Sequence, residues 1–167
     1  MTSTQQGGTR NVFSQQARSP HATASGQPVS RAGSDDSGQG SAFGSSLAAY
    51  VGRVAVALGI PVEGTMSEVS DTATAYLGLA QRWGGPPARN LMLVWDERFG
   101  WCVAVEPAYP GEPPEVIAYC CADTVPAPAT VARFVTDTII GRHAIRRRPD
   151  ATPADRAALG RRMSRQL

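Results

Sequence analysis

The sequence predicts an α+β domain over residues 45–140: a small four-stranded antiparallel sheet flanked by an N-terminal and a C-terminal helix, in the order α-β-β-β-β-α. Three observations carry this. Nearly all large apolar side chains of the 167-residue chain fall here, including Trp83, Trp95 and Trp101. Helical periodicity marks the two ends of the stretch. Between them, short apolar runs alternate with Gly- and Pro-rich breaks, and strands bracketed by helices indicate a sheet covered on one face.

The first helix is expected over residues 46–58. Leu47, Tyr50, Val51, Val54 and Leu58 fall on one face of a 3.6-residue period. Ser45 or Ser46 suits the N-cap, Gly59 the left-handed C′ position, and Pro61 blocks continuation. Residues 67–83 carry two patterns. Ala73, Ala75, Leu77 and Leu79 alternate as in a strand, while Val69, Ala73, Tyr76, Leu77 and Ala80 also fit a helical face. The β-branched Thr72 and Thr74 favour the strand. Residues 91–95 and 101–105 flank Asp96-Glu97-Arg98-Phe99-Gly100 and predict a hairpin, with Gly100 at positive φ. A turn centred on Arg98 sets Trp95 opposite Trp101; a one-residue slip puts them on opposite faces. A proline-rich loop precedes a strand over residues 115–120. The closing helix is expected over residues 128–140, with Pro128 in its first turn and Val131, Phe134, Val135, Thr138 and Ile139 buried.

The flanks differ in kind. Residues 1–44 hold 7 Gly, 8 Ser and 6 Gln and few large apolar residues, a composition that predicts a disordered arm. Residues 141–167 form an Arg-rich tail, in which Thr152-Pro153-Ala154-Asp155 signals a short helix over 153–165. Only Ala158, Leu159 and Met163 are apolar there, so weak packing and fraying are expected. All 16 basic residues are Arg, and the net charge is +2. That near-neutral total conceals net charges of +1 on residues 1–44, −5 on residues 45–140 and +6 on residues 141–167. No run of about 18 apolar residues is evident, and residues 1–10 lack the apolar core of a secretory signal, so neither a membrane span nor export is expected.

Several stretches are familiar in combination: Ala49-Tyr50-Val51 with Ala57-Leu58-Gly59, Ala75-Tyr76-Leu77-Gly78-Leu79, Leu93-Val94-Trp95-Asp96-Glu97 with Gly100-Trp101, and Pro126-Ala127-Pro128 leading into Val131 to Val135. Together they resemble an uncharacterised family, a domain of unknown function in high-GC actinobacteria. The resemblance covers residues 45–140. It implies a cytoplasmic actinobacterial protein and a strand at 72–79, and it implies no activity. The element order also loosely resembles small secretion-chaperone-like domains, which bind peptides and dimerise.

Catalytic chemistry finds little support. Both His residues, His21 and His143, lie outside the core, which removes the usual general base and metal ligand. Cys102, Cys120 and Cys121 are expected to be reduced, small apolar residues, with adjacent cysteines in a strand pointing to opposite faces. Asp96 and Glu97 read as turn residues. No P-loop, GxGxxG, HExxH or GxSxG pattern occurs. No catalytic residue, cofactor or metal is therefore expected.

Binding remains. Trp95 and Trp101 read either as core or as an exposed aromatic pair; with Met92 and Val94 they are the candidate protein interface. Arg146, Arg147, Arg148, Arg161, Arg162 and Arg165 are the candidate phosphate contacts, or else a tail that folds back on the acidic domain. The sequence thus points to a non-enzymatic protein-binding or dimerisation module, with a nucleic-acid-associated protein as the alternative.

Overall fold

The computed structural model describes residues 35–84, 87–109, 111–142, 147–151 and 153–166. It is an α+β fold. Helix α1 (Asp35–Leu58) and a 3-10 turn (Val62–Gly64) lead into five strands: β1 (Thr65–Val69), β2 (Ala73–Trp83), β3 (Arg89–Asp96), β4 (Gly100–Val105) and β5 (Glu115–Tyr119). Helices α2 (Pro128–Ile139) and α3 (Arg156–Ser164) follow. The sheet is an antiparallel meander in the order β1-β2-β3-β4-β5.

Five strands replace the expected four. The extra one, β1, has only half-buried or exposed residues. An edge strand that meets the core through the half-buried Val69 leaves little hydrophobic pattern to read. The alternation over residues 73–79 is that of a strand, with Ala73, Ala75, Leu77 and Leu79 all buried. In the β3–β4 hairpin Trp95 pairs with Trp101 and Asp96 with Gly100, which centres the turn on Arg98. Gly100 has φ +70°, and a Cβ there would stand 3.0 Å from Thr124 Cα, so both conformation and space require glycine.

Helix α1 begins at Asp35 rather than near residue 46. Ser45 and Ser46 are therefore not N-caps; their hydroxyls donate to the carbonyls of Ser41 and Ala42 inside the helix. Phe43, assigned to the disordered arm, is buried. The disorder expected for residues 1–34 lies outside the described residues. By length and composition alone, Gly40–Leu58 could cross a membrane, with a mean hydropathy of 1.3. Its apolar stripe of Phe43, Leu47, Tyr50, Val51 and Val54 is instead built into the domain core.

That core lies between one sheet face and the helices. Trp95, Trp101, Leu77, Leu93, Val103 and Val105 meet Leu47, Tyr50 and Val54 of α1 and Val131, Phe134 and Val135 of α2. The polar atoms of its buried aromatic residues Tyr50, Trp95 and Trp101 are paired. Tyr50 Oη donates to the Pro126 carbonyl at 2.7 Å and accepts from Trp101 Nε1 at 3.0 Å. Trp95 Nε1 donates to the Thr124 carbonyl at 2.7 Å. Burial pushes the Tyr50 phenol well above its ordinary value, so it stays protonated and can donate.

Helix α3 is not a loosely held tail. Asp155 caps it by accepting from the Ala158 N–H at 3.0 Å, and Leu159, Gly160 and Met163 are buried against α1. Arg53 of α1 donates to the Met163 carbonyl at 2.6 Å, a cation at the carboxyl end of α3. Full burial of Met163 contributes about 1.5–3 kcal/mol toward docking a helix that also carries three arginines.

Candidate interaction surfaces

Among the described residues, one face of the five-stranded sheet carries no helix. Strand pairing places its side chains in rows. Met66 stands beside Tyr76, Tyr76 beside Val94, Val94 beside Cys102, and Cys102 beside Tyr119, one uncharged row across all five strands. A second row joins Gly78, Met92, Ala104 and Val116. Val94, Cys102 and Ala104 form a separate small cluster, with Tyr76, Met92 and Tyr119 packed around it. Met66 is 66% exposed and Val116 39%. This outer face spans about 20 by 20 Å, from four strand spacings of about 4.8 Å and about six residues of strand length.

Two of the four candidate interface residues belong to it, Met92 and Val94. The other two do not. Trp95 and Trp101 lie on the helix-covered face, fully buried, with both indole N–H groups satisfied inside the core. The reading of an exposed aromatic pair is corrected for that reason. Period-two alternation sends Trp95 away from Val94, and the tyrosines Tyr76 and Tyr119 supply the outer aromatic surface instead.

The candidate phosphate contacts divide. Arg146 lies outside the described residues. Arg162 pairs with Asp123. Arg148 sits over the Phe99 ring, 3.6 Å from its centroid. Arg147 lines a small cleft with Tyr119 and Cys121. Arg161 and Arg165 line a groove between α1 and α3. Arg156, not among those candidates, grips Glu97: Nε to Oε2 at 2.9 Å and Nη2 to Oε1 at 3.2 Å. The same Nη2 reaches the carbonyls of Ser70 and Asp71. Asp96 behaves as the turn residue expected, accepting from the Arg98 N–H at 2.8 Å. Its neighbour Glu97 is buried, a role that no local pattern announces.

The cysteines are all free. Burial first, and then the nearby Asp96 charge, pushes the Cys102 thiol up to about 12, and burial likewise raises Cys120. Protonated thiols are poor nucleophiles at neutral pH. Cys120 and Cys121 follow the end of β5 rather than lying within it, and the Cys121 thiol donates to the Asp123 carbonyl at 3.5 Å. Among the described residues, no group of three or more His, Cys, Asp or Glu is placed to hold a metal ion.

No curated protein and no solved structure matches the chain. Residues 50–137, just over half of it, match the profile of a family of unknown function, DUF6292. The matched region takes in the second part of α1, the whole sheet and nearly all of α2, and leaves α3 outside. The chain therefore belongs to the family of unknown function DUF6292.

Proposed function

We propose that the chain is a non-enzymatic protein-binding module that self-associates through the outer face of its sheet. The observation that carries this is the uncharged row of Met66, Tyr76, Val94, Cys102 and Tyr119, which no helix among the described residues covers. Soluble chains with one covered sheet face ordinarily place polar residues on the other. The exposed patch, made by Met66, Tyr76, Met92, Val116 and Tyr119 over the buried Val94, Cys102 and Ala104, is of the kind that is often functional. It is small beside the roughly 800 Å² per partner of a standard interface, so the dimer is expected in the micromolar range. A cytoplasmic location and an actinobacterial source belong to the same proposal and rest on the sequence pattern. The test is light scattering across a concentration series. A dimer mass at tens of micromolar that falls to monomer in Met92→Glu supports the reading. A monomer mass throughout overturns it.

The alternative, phosphate contact through the tail, draws support from the net +6 of residues 141–167. Arg156 and Arg162 are engaged by Glu97 and Asp123, which lowers the charge left for an external phosphate. Duplex DNA binding with a salt slope of about −0.9 per contact would favour this reading.

A further inference from the structure

We propose that the groove between α1 and α3 is a docking site for an acidic, amphipathic segment of a partner protein. The groove has a volume of about 730 Å³ and runs open between the two helices. Phe43, Ala42, Ala157 and Gly160 give it an apolar floor. At Gly160 the helices come close; a Cβ there would stand 3.6 Å from the Phe43 ring, so the absence of a side chain keeps the floor low.

Charge identifies the occupant. Arg161 and Arg165, one helical turn apart, line the groove and are exposed. Among the described residues neither has a carboxylate partner. The other two arginines of α3 and its C-cap do, Arg156 with Glu97 and Arg162 with Asp123. Arg156, which also lines the groove beside the Phe43 ring, and Arg162 thus hold the helix to the domain, while Arg161 and Arg165 present unneutralised guanidinium groups. Among the described residues no Asp or Glu lines the groove, although residues 45–140 carry a net −5. A basic rim above an apolar floor fits carboxylates flanking apolar side chains, the pattern of an amphipathic helix laid in a groove. Duplex DNA would satisfy the arginines and leave the floor unused.

This site lies outside the sheet face proposed for self-association, so the two are separable. The test uses the full chain and a fluorescein-labelled peptide of about 15 residues, with Leu on one helical face and Glu on its flanks. Saturable binding is expected, weakening about tenfold in Arg161→Glu/Arg165→Glu and similarly with added salt. Gly40 also lines the groove, and a Cβ there meets nothing within 4 Å, so Gly40→Phe should fill the mouth without disturbing the fold. It should abolish binding, circular dichroism being unchanged, whereas Met92→Glu should leave binding intact. A peptide with Lys in place of Glu should not bind. The proposal is overturned by no binding to the wild type, by equal binding to the groove variants, or by binding of dodecanoate or duplex DNA in preference to the acidic peptide.

Discussion

Arg156 at the start of α3 holds Glu97 at the tip of the β3–β4 hairpin through two hydrogen bonds, with the Glu97 side chain 3% exposed and that of Arg156 34%. Three segments meet there, because the same guanidinium also takes the carbonyls of the β1–β2 turn. Removing one partner leaves a buried charge unmatched, which costs about 3–5 kcal/mol in buried pairs and somewhat less here because Arg156 is partly solvated. Arg156→Ala is therefore predicted to lose about 2–4 kcal/mol in urea unfolding. Arg156→Ala/Glu97→Gln should lose less than Arg156→Ala alone. A double variant as unstable as the sum of the singles would show that the pair is not coupled.

Tyr50 links two buried polar atoms, donating to Pro126 and accepting from Trp101. Tyr50→Phe keeps the ring and strands the indole N–H and a carbonyl. A loss of about 1–3 kcal/mol is expected from each group left unsatisfied in the core. Denaturant unfolding monitored by Trp fluorescence measures it; a change below about 0.5 kcal/mol would mean that neither bond matters.

The buried thiols and phenol make stability fall at alkaline pH. Cys102 is raised from 9.0 to about 12, and Cys120 and Tyr50 are raised too. Above about pH 9 the unfolded chain releases these protons and the folded chain keeps them, so the unfolded state binds fewer protons and unfolding becomes easier. Stability should be level from pH 7 to about 8.5 and then decline, with Cys102 contributing up to about 1.4 kcal/mol per pH unit before it levels beyond its folded value. Unfolding at pH 8 and pH 10 in the wild type and Cys102→Ala checks this: the variant should show the shallower decline.

Met163 is fully buried although it lies in a segment with few apolar residues. Met163→Ala should cost about 2–4 kcal/mol, as for other large-to-small core changes. Amide exchange in residues 156–164 should be slow in the wild type and fast in the variant. Equal, fast exchange in both would mean that α3 is undocked in solution.

The sheet was legible where burial is one-sided. Ala73, Ala75, Leu77 and Leu79 alternate because one face of β2 meets the core, and Gly100 marks the turn because only glycine fits it. The α2 face read correctly for the same reason. The first half of α1 did not, because its Gly and Ser residues favour coil and Phe43 packs beside Gly160, over a hundred positions away in sequence. The interface reading failed at Trp95 and Trp101 because size and aromaticity do not say which sheet face a strand residue takes; register with Tyr50 and Thr124 does. Glu97 was unreadable locally, since its partner arrives from α3.

The meander order has a kinetic consequence. Each strand pairs with its immediate neighbour in sequence, so the sheet can zip together through short loop closures, which favours fast assembly. Pairing α1 with α3 requires closing nearly the whole described chain, and that contact gains its stability last. By the same reasoning it opens first. Undocking α3 forfeits Leu159, Met163 and the Arg156 clamp while every β-ladder stays intact, so the chain should visit a state of sheet, α1 and α2, with Phe43 bared, far more often than it unfolds completely.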